Sequence, residues 1–96
     1  MWKSLLKSIF AETLSFMRVK ILLFGIIAEI IDHNSLSMEL EQPCSVARFK
    51  EQIFLKYPKL KNYATFAVAI NEEYAEDSNT ICNNDTIALI PPVSGG

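Results

Sequence analysis

The segment TIALIPPVSGG, residues 86–96, decides the expected architecture of this chain. Residues 86–90 are apolar and rich in β-branched side chains, which is typical of a buried strand. The two prolines at 91–92 fix φ twice and direct the chain into an extended, polyproline-like path. The glycines at 95–96 have no Cβ, so they can pass through a channel too narrow for other residues. A buried strand, a stiff exit and a thin tip suit a protein whose carboxyl terminus is delivered into another protein's active site.

The composition is that of one small, slightly acidic domain. The chain has 96 residues, 50% of them hydrophobic and 21% charged, and its net charge is −2. A chain of this length forms one domain with a small core. Nucleic acid is disfavoured as a partner, because its recognition requires a basic face. The longest apolar run, residues 21–28, is short of the roughly 20 residues that a membrane helix needs.

Few side chains are suited to metal binding or nucleophilic catalysis. Cys44 and Cys82 are far apart in the sequence and match no metal or redox spacing, so we interpret both as small buried or half-buried hydrophobic residues. His33 falls in a polar turn, where we expect it to be solvated. Two cysteines and one histidine do not favour a zinc site, and the sequence has no Ser-His-Asp or Cys-His signature. We therefore expect no metal site and no catalysis by this chain alone.

The first 16 residues are set apart by an amphipathic pattern. The apolar residues that follow helical spacing are Trp2, Leu5, Leu6, Ile9 and Phe10. This pattern predicts an N-terminal extension, residues 1–16, that forms an amphipathic helix. Two interpretations remain open. Either the apolar stripe packs on the domain or on a second copy, or Met17 is the natural start and the extension lies upstream of it.

Residues 17–90 predict a small sheet covered by one main helix. The predicted strands are residues 18–24, 36–41, 66–70, the short 74–75, and 86–90. The first two should pair as an antiparallel hairpin, with a short helix or turn between them. Ser45 is suited to cap the main helix, and Pro58 should end that helix at Tyr57. Strands around one covering helix are typical of an α+β domain with a mixed four- to five-stranded sheet.

Alternation along the first and last strands predicts which side chains the helix leaves uncovered. If Ile87 and Leu89 face the helix, their neighbours face the open side, which Lys20 marks as the wetter face. The apolar side chains predicted on this open face are Leu22, Phe24, Ala88 and Ile90. Such a patch beside the tail exit commonly marks a partner site. We expect Phe24 and Ile90 to anchor a partner, with Leu22 beside them.

Over residues 17–96, the chain resembles the small, sulfur-carrier subunits of molybdopterin synthase. These are ubiquitin-like β-grasp proteins that end in Pro-Pro-Val-Ser/Thr-Gly-Gly, and residues 85–96 carry the specific match. The supporting matches are residues 19–24, Glu29, Ser45-Val46, Tyr57-Pro58 and residues 69–74. The chain departs from the family at Ala28, where arginine is frequent, and at residues 83–86, where Asp-Gly-Asp-Glu is frequent. The resemblance implies a β-grasp fold whose first and last strands are parallel neighbours at the sheet centre.

The resemblance also implies a carrier cycle at Gly96. An E1-like activating enzyme uses ATP to adenylate the Gly96 carboxylate, and a sulfur donor converts this transient AMP adduct into a thiocarboxylate (1-thioglycine). The functional tail then enters the large subunit of molybdopterin synthase, in a heterotetramer of two small and two large subunits, and gives sulfur to a cyclic pyranopterin precursor. The implied tail residues are Pro91, Pro92, Val93, Ser94, Gly95 and Gly96. The implied protein is cytoplasmic and binds no cofactor of its own.

Three other functions remain open from the sequence. A thiamin-pathway or tRNA-thiolation sulfur carrier also ends in Gly-Gly, although the Pro-Pro-Val-Ser element favours molybdopterin synthesis. A ubiquitin-like modifier would form isopeptide bonds to lysines through the same terminus. A plain interaction module would have an inert tail, and its function would not depend on Gly96.

Overall fold

The computed structural model describes residues 15–63 and 65–92 of the chain. The strands are β1 (Ser15–Leu23), β2 (Ser35–Gln42), β3 (Cys44–Ser45), β4 (Ala67–Ile70), β5 (Glu73–Ala75), β6 (Thr80–Ile81) and β7 (Thr86–Ile90). The helices are α1 (Gly25–Ile31), α2 (Val46–Lys56) and a 3-10 helix (Pro58–Tyr63). None of the helices in these ranges has the length and apolar character that a membrane crossing requires.

Five strands form a mixed sheet in the order β2-β1-β7-β4-β5. β1 and β7 are parallel neighbours, whereas the other pairings in this sheet are antiparallel. β3 and β6 form a separate antiparallel pair, with Cys44 opposite Ile81. The expected α+β class and the ubiquitin-like β-grasp arrangement are thereby confirmed, and β7, which leads into the tail, occupies the centre of the sheet.

The core lies between the sheet and the helices. Along β1 and β7, alternate residues are buried, and Ile21, Ile87 and Leu89 have no exposed surface. From α2, Phe49 and Ile53 are equally buried in the same cluster. This alternation on the strands and the helical spacing on α2 bury one face of each element. Among the described residues every buried side chain is apolar.

Helix α2 begins and ends as its sequence predicts. The Ser45 hydroxyl accepts a hydrogen bond from the backbone N–H of Arg48 at 3.2 Å, which satisfies one of the unpaired donors of the first turn. Tyr57 is the C-terminal cap, and its N–H donates to the Ile53 carbonyl at 2.8 Å. Pro58 then begins the 3-10 helix, so α2 proper is one residue shorter than expected.

The N-terminal boundary of the sheet differs from the expected one. β1 begins at Ser15, because β2 extends to Gln42 and the two strands pair from Ser15 opposite Gln42 onwards. Ser15 and Phe16, which were assigned to the N-terminal extension, therefore belong to the sheet. The amphipathic helix predicted over residues 1–16 otherwise lies outside the described residues. At its other end, β1 stops at Leu23, and Phe24 instead caps α1 in an extended conformation.

The small β3–β6 pair was not predicted from the sequence. Each strand has two residues, which is too short for alternation to be recognised. The pair is reinforced by backbone hydrogen bonds from Val46 to Asn79 at 2.9 Å and from Ala47 to Asp77 at 3.0 Å. These bonds connect the first turn of α2 to the segment that precedes β6, and so fix the helix over the sheet.

Candidate functional site

Four side chains form one row across the face of the sheet that the helices leave open. In the strand register, Leu22 lies beside Ala88, Ala88 beside Ala69, and Ala69 beside Tyr74. The two central residues are alanines and the outer two are large. The middle of this row is therefore lower than its ends, and a depression follows from residue size alone.

The depression has a volume of about 650 Å³ and adjoins the C-terminal ends of β1 and β7. We call it the open-face depression. Its apolar lining residues are Leu22, Phe24, Ala69, Tyr74, Ala88 and Ile90. Its polar lining residues are Asn71, Glu72 and Thr86. An apolar concavity with few polar groups is the usual form of a recognition site.

The structure brings together the three side chains that the sequence assigned to a partner interface. Phe24 is 47% exposed, and Leu22 and Ile90 are half-buried beside it. Phe24 is thus not a core residue, although phenylalanine is usually buried. Their role in binding a partner remains a prediction.

The other half of the open face is polar. Alternating residues of β1 and β2 place Arg18 opposite Glu39 and Lys20 opposite Ser37. The Arg18 guanidinium lies 3.0 Å from the Glu39 carboxylate, and the two side chains are 68% and 62% exposed. An ion pair so exposed stabilises the fold little. These polar side chains separate the apolar surface beside the tail from Phe16, which is 63% exposed at the other end of β1.

The tail is rooted at the edge of the open-face depression. β7 ends at Ile90, opposite Ala67 of β4, and Pro91 follows directly. Pro91 is half-buried and Pro92 is exposed, so the chain turns out of the domain within two residues. The remaining predicted tail residues, Val93, Ser94, Gly95 and Gly96, lie outside the described residues, and their assignments stay predictions.

Comparison with known protein sequences identifies the family of this chain. The sequence profile of the ThiS family matches residues 21–96. The chain belongs to the ThiS family. It is 32% identical over 87 residues to the molybdopterin synthase sulfur carrier subunit of Arabidopsis thaliana, a match that covers 90% of this chain and 91% of that protein. The family resemblance drawn from the sequence is confirmed.

Two solved structures show the ThiS-family fold at lower identity. SAMP1 from Haloferax volcanii has a TM-score of 0.73 at 24% identity, and the match covers 82% of this chain and 99% of that one. A subunit in the complex of subunits 1 and 2 of the molybdopterin-converting factor from Helicobacter pylori has a TM-score of 0.60, also at 24% identity. That match covers 83% of this chain and 100% of the other. Both likenesses establish the β-grasp fold.

In this ThiS-family chain, a polar bridge fixes the beginning of β7. The Asn71 side-chain amide donates to the Asp85 carboxylate at 2.9 Å and accepts from the Thr86 backbone N–H at 3.0 Å. The other oxygen of Asp85 accepts from the Cys82 backbone N–H at 2.8 Å. The strand that leads to the tail is thus held at its first residue by the Asn71 side chain, which Asp85 in turn connects to the turn at Cys82.

Sequence reasoning missed several residues of the site. No sequence pattern gave Asn71 a role in the site. Asn71 and Glu72 both have positive φ, of 50° and 74°, as a tight hairpin turn requires. The bridge to Asp85 has no sequence signal, because it joins turns that are distant along the chain. Ala69 and Tyr74 were missed too. Ala69 follows the core residue Val68 on β4, so side-chain alternation could have assigned Ala69 to the open face.

The two cysteines differ in exposure, although Cys82 directly follows Ile81, the residue opposite Cys44. Cys44 is buried as expected, and its thiol donates to the Ser45 carbonyl at 3.4 Å; the expectation of burial is wrong for Cys82, which is exposed. Burial raises the pKa of the Cys44 thiol, and the nearby charge of Arg48 offsets only part of this effect. Within residues 15–63 and 65–92, no three His, Cys, Asp or Glu side chains lie close enough together to hold a metal ion.

Proposed function

We propose that this chain is a sulfur carrier of molybdopterin synthesis whose working group is the carboxyl terminus of Gly96. In this proposal, an E1-like enzyme adenylates the terminus, a sulfur donor replaces AMP, and the large subunit of molybdopterin synthase receives the thiocarboxylate. The sulfur then passes to a cyclic pyranopterin precursor. The name of the Arabidopsis relative and the subunit complex of the Helicobacter pylori neighbour support this assignment.

The observation that carries the proposal is the continuity between the central strand and the tail. β7 pairs with β1 as far as Leu89 and with β4 as far as Ile90, and Pro91 and Pro92 then begin the exit. A terminus rooted in the central strand of the sheet can be presented at a defined position. The open-face depression lies beside this root and offers a partner an apolar surface to bind.

The chemistry explains why the terminus requires activation. A carboxylate is a poor acyl donor, because its negative charge repels nucleophiles and oxide is a poor leaving group. Adenylation consumes ATP, releases pyrophosphate and gives the carbonyl carbon a stable leaving group. Attack by a sulfur nucleophile then expels AMP and leaves the thiocarboxylate. In the transfer step the sulfur bonds to the acceptor, and water then cleaves the bond between that sulfur and the Gly96 carbonyl carbon. The water oxygen restores the carboxylate, so the chain acts as a substrate that is used repeatedly.

The energetics of tail insertion explain the need for the apolar patch. Ordering a residue costs about 1–2 kcal/mol, so inserting six tail residues costs roughly 6–12 kcal/mol before any contact is made. Pro91 and Pro92 reduce this cost, because they are already restricted in the free protein. The remainder has to come from contacts outside the tail. Burial of Phe24, Leu22 and Ile90 against a partner would contribute to it, at about 25 cal/mol per Å² of apolar surface.

The experiment is to incubate the full chain with an E1-like activating enzyme, ATP and a sulfide source, and to measure its intact mass. We expect a product in which one sulfur replaces one oxygen, and fragmentation should place that sulfur on Gly96. The matched control is the chain that lacks Gly96, which should remain unmodified. The loaded protein should then convert a cyclic pyranopterin precursor in the presence of the large subunit.

The other outcomes identify the competing functions. Conjugates of higher mass, linked through Gly96 to lysines, would assign the chain to the ubiquitin-like modifiers. Loading without transfer in the presence of the large subunit would point to a thiamin-pathway or tRNA-thiolation carrier. A chain that is neither loaded nor conjugated would be an interaction module with an inert tail.

A further inference from the structure

The root of the tail rests against a glycine. A Cβ placed on Gly25 in ideal geometry would lie 2.9 Å from Cγ of Pro91 and 3.9 Å from its Cδ. The first distance is shorter than real Cβ contacts, so the proline ring occupies the space that any side chain at position 25 would need. The strand register explains the contact. Leu23 lies beside Leu89 on the parallel strands, so Gly25 and Pro91, each two residues further along its chain segment, are also neighbours.

The conformation of Gly25 adds a second requirement for glycine. Its φ is +55°, in the left-handed region that residues with side chains rarely adopt. This value lets the chain reverse from the extended Phe24 into helix α1. The contact with Pro91 and the positive φ therefore both favour glycine at position 25. The two requirements can be tested separately, because asparagine tolerates this φ while still carrying a Cβ.

If a side chain were present at position 25, Pro91 would move rather than helix α1. The start of the helix is held by the Phe24 carbonyl, which accepts from the N–H groups of Ile27 at 3.2 Å and Ala28 at 3.4 Å. Ile27 is itself only 1% exposed and packs in the core. Pro91 is half-buried and is followed by an exposed residue, so it is the less constrained of the two partners.

We propose that Gly25 is a positioning residue for the tail: it seats the Pro91 ring and so sets the direction in which the reactive terminus leaves the domain. This inference rests on the proposed sulfur-carrier function. From Pro91 to Gly96 an extended chain spans roughly 17 Å, so a tilt of about 10° at the root displaces the end by about 3 Å. A misplacement of only about 1 Å at a reacting centre can slow a reaction about 100-fold.

The test measures single-turnover sulfur transfer from full-length protein to a cyclic pyranopterin precursor, at saturating large subunit of molybdopterin synthase. The thiocarboxylate is installed chemically at Gly96, so the activating enzyme is not needed. We expect Gly25→Ala to slow transfer at least tenfold while the affinity for the large subunit changes less than threefold. Gly25→Asn, which accepts the backbone conformation, should fold more stably than Gly25→Ala and be similarly slow.

A double-mutant cycle tests whether the effect passes through the proline ring. Pro91→Ala removes Cγ, and it should itself slow transfer because the exit loses stiffness. If Gly25 acts through that ring, adding Gly25→Ala to Pro91→Ala should slow transfer less than twofold further. The stability control is Ile53→Val on the core-facing side of α2, which should lower the melting temperature and leave the transfer rate unchanged.

The outcomes separate this inference from the function on which it rests. If the loaded wild-type protein transfers sulfur and both Gly25 variants match its rate, the positioning role is wrong and the carrier function stands. Additive slowing in the double variant, or slowing of Ile53→Val in proportion to its lost stability, would also overturn the role. If the loaded wild-type protein transfers no sulfur, the proposed function fails and the inference fails with it.

Discussion

Asn71 and Thr86 are joined by backbone and side-chain hydrogen bonds that run in opposite directions. The Asn71 backbone N–H donates to the Thr86 carbonyl at 2.8 Å, and the Thr86 N–H donates to Asn71 Oδ1 at 3.0 Å. The turn that follows β4 is thus attached to the first residue of β7. The strand that carries the tail is therefore held at the end opposite the tail root by an asparagine in a distant turn.

Replacing Asn71 should destabilise the fold through this bridge. Asn71→Gly keeps the positive φ and loses both side-chain bonds, so it should cost about 1–2 kcal/mol of unfolding free energy. Asn71→Ala should cost more, because alanine also disfavours a φ of 50°. Urea unfolding measures both variants. As a control, Asn62→Ala on the exposed 3-10 helix should change stability by less than about 0.5 kcal/mol. An Asn71→Gly variant as stable as wild type would show that the bridge contributes nothing.

Truncating Phe24 should weaken partner binding more than it weakens the fold. Phe24 is 47% exposed, so Phe24→Ala leaves no enclosed cavity in the core. As an aromatic anchor it should account for at least about 1.4 kcal/mol of binding, a tenfold loss of affinity for the large subunit. Calorimetric titration measures this loss. The matched control is Leu55→Ala, which removes a 70% exposed side chain from α2. Equal losses in the two variants would contradict an anchor at Phe24.

A charge in the floor of the open-face depression should block binding while the fold survives. Ala88→Glu places a carboxylate between Leu22 and Ala69. Docking of a partner would remove the water that hydrates this carboxylate. The expected penalty is about 2–5 kcal/mol, which is a loss of roughly 30-fold or more in affinity. The control is Ser37→Glu, which adds the same charge to the polar half of the same face. Unchanged affinity in Ala88→Glu would mean that the partner binds elsewhere.

The two cysteines should differ in reactivity and in their effect on stability at high pH. Iodoacetamide should label exposed Cys82 in the native protein and buried Cys44 only after unfolding, as intact mass would show. Since burial raises the Cys44 pKa in the folded state, the thiol's contribution to stability is complete below its unfolded pKa of about 8.5 and is lost as pH rises through the folded value.

Unfolding free energies at pH 7 and pH 10 test this linkage. Between pH 7 and pH 10, the unfolding free energy of Cys82→Ala should fall by as much as that of wild type, and the unfolding free energy of Cys44→Ala should fall by less. The comparison between variants cancels the titration of other groups. Native labelling of Cys44 at the rate of Cys82, or identical pH dependence in all three proteins, would contradict the burial of its thiol.

Local sequence signals predicted the elements that depend on neighbours along the chain. The bounds of β7 agree with those expected for residues 86–90, because its apolar, β-branched composition and the following prolines act over a few residues. Ser45 and Pro58 likewise marked the beginning and end of α2. The apolar patch followed from alternation, since successive side chains on a strand point to opposite faces. The family resemblance rested on the same continuous stretch of chain.

The sequence by itself determined the central strand, the capped helix and the motif that assigns the chain to its family. Only the tertiary structure decided what surrounds β7 and the tail root: Ala69 and Tyr74 complete the depression, Asn71 holds the beginning of β7, and Gly25 contacts Pro91. The physical reason is distance along the chain. Local propensity and side-chain alternation act over a few residues, whereas strand order, register and turn-to-turn contacts are selected by packing of the whole domain, which no single segment encodes.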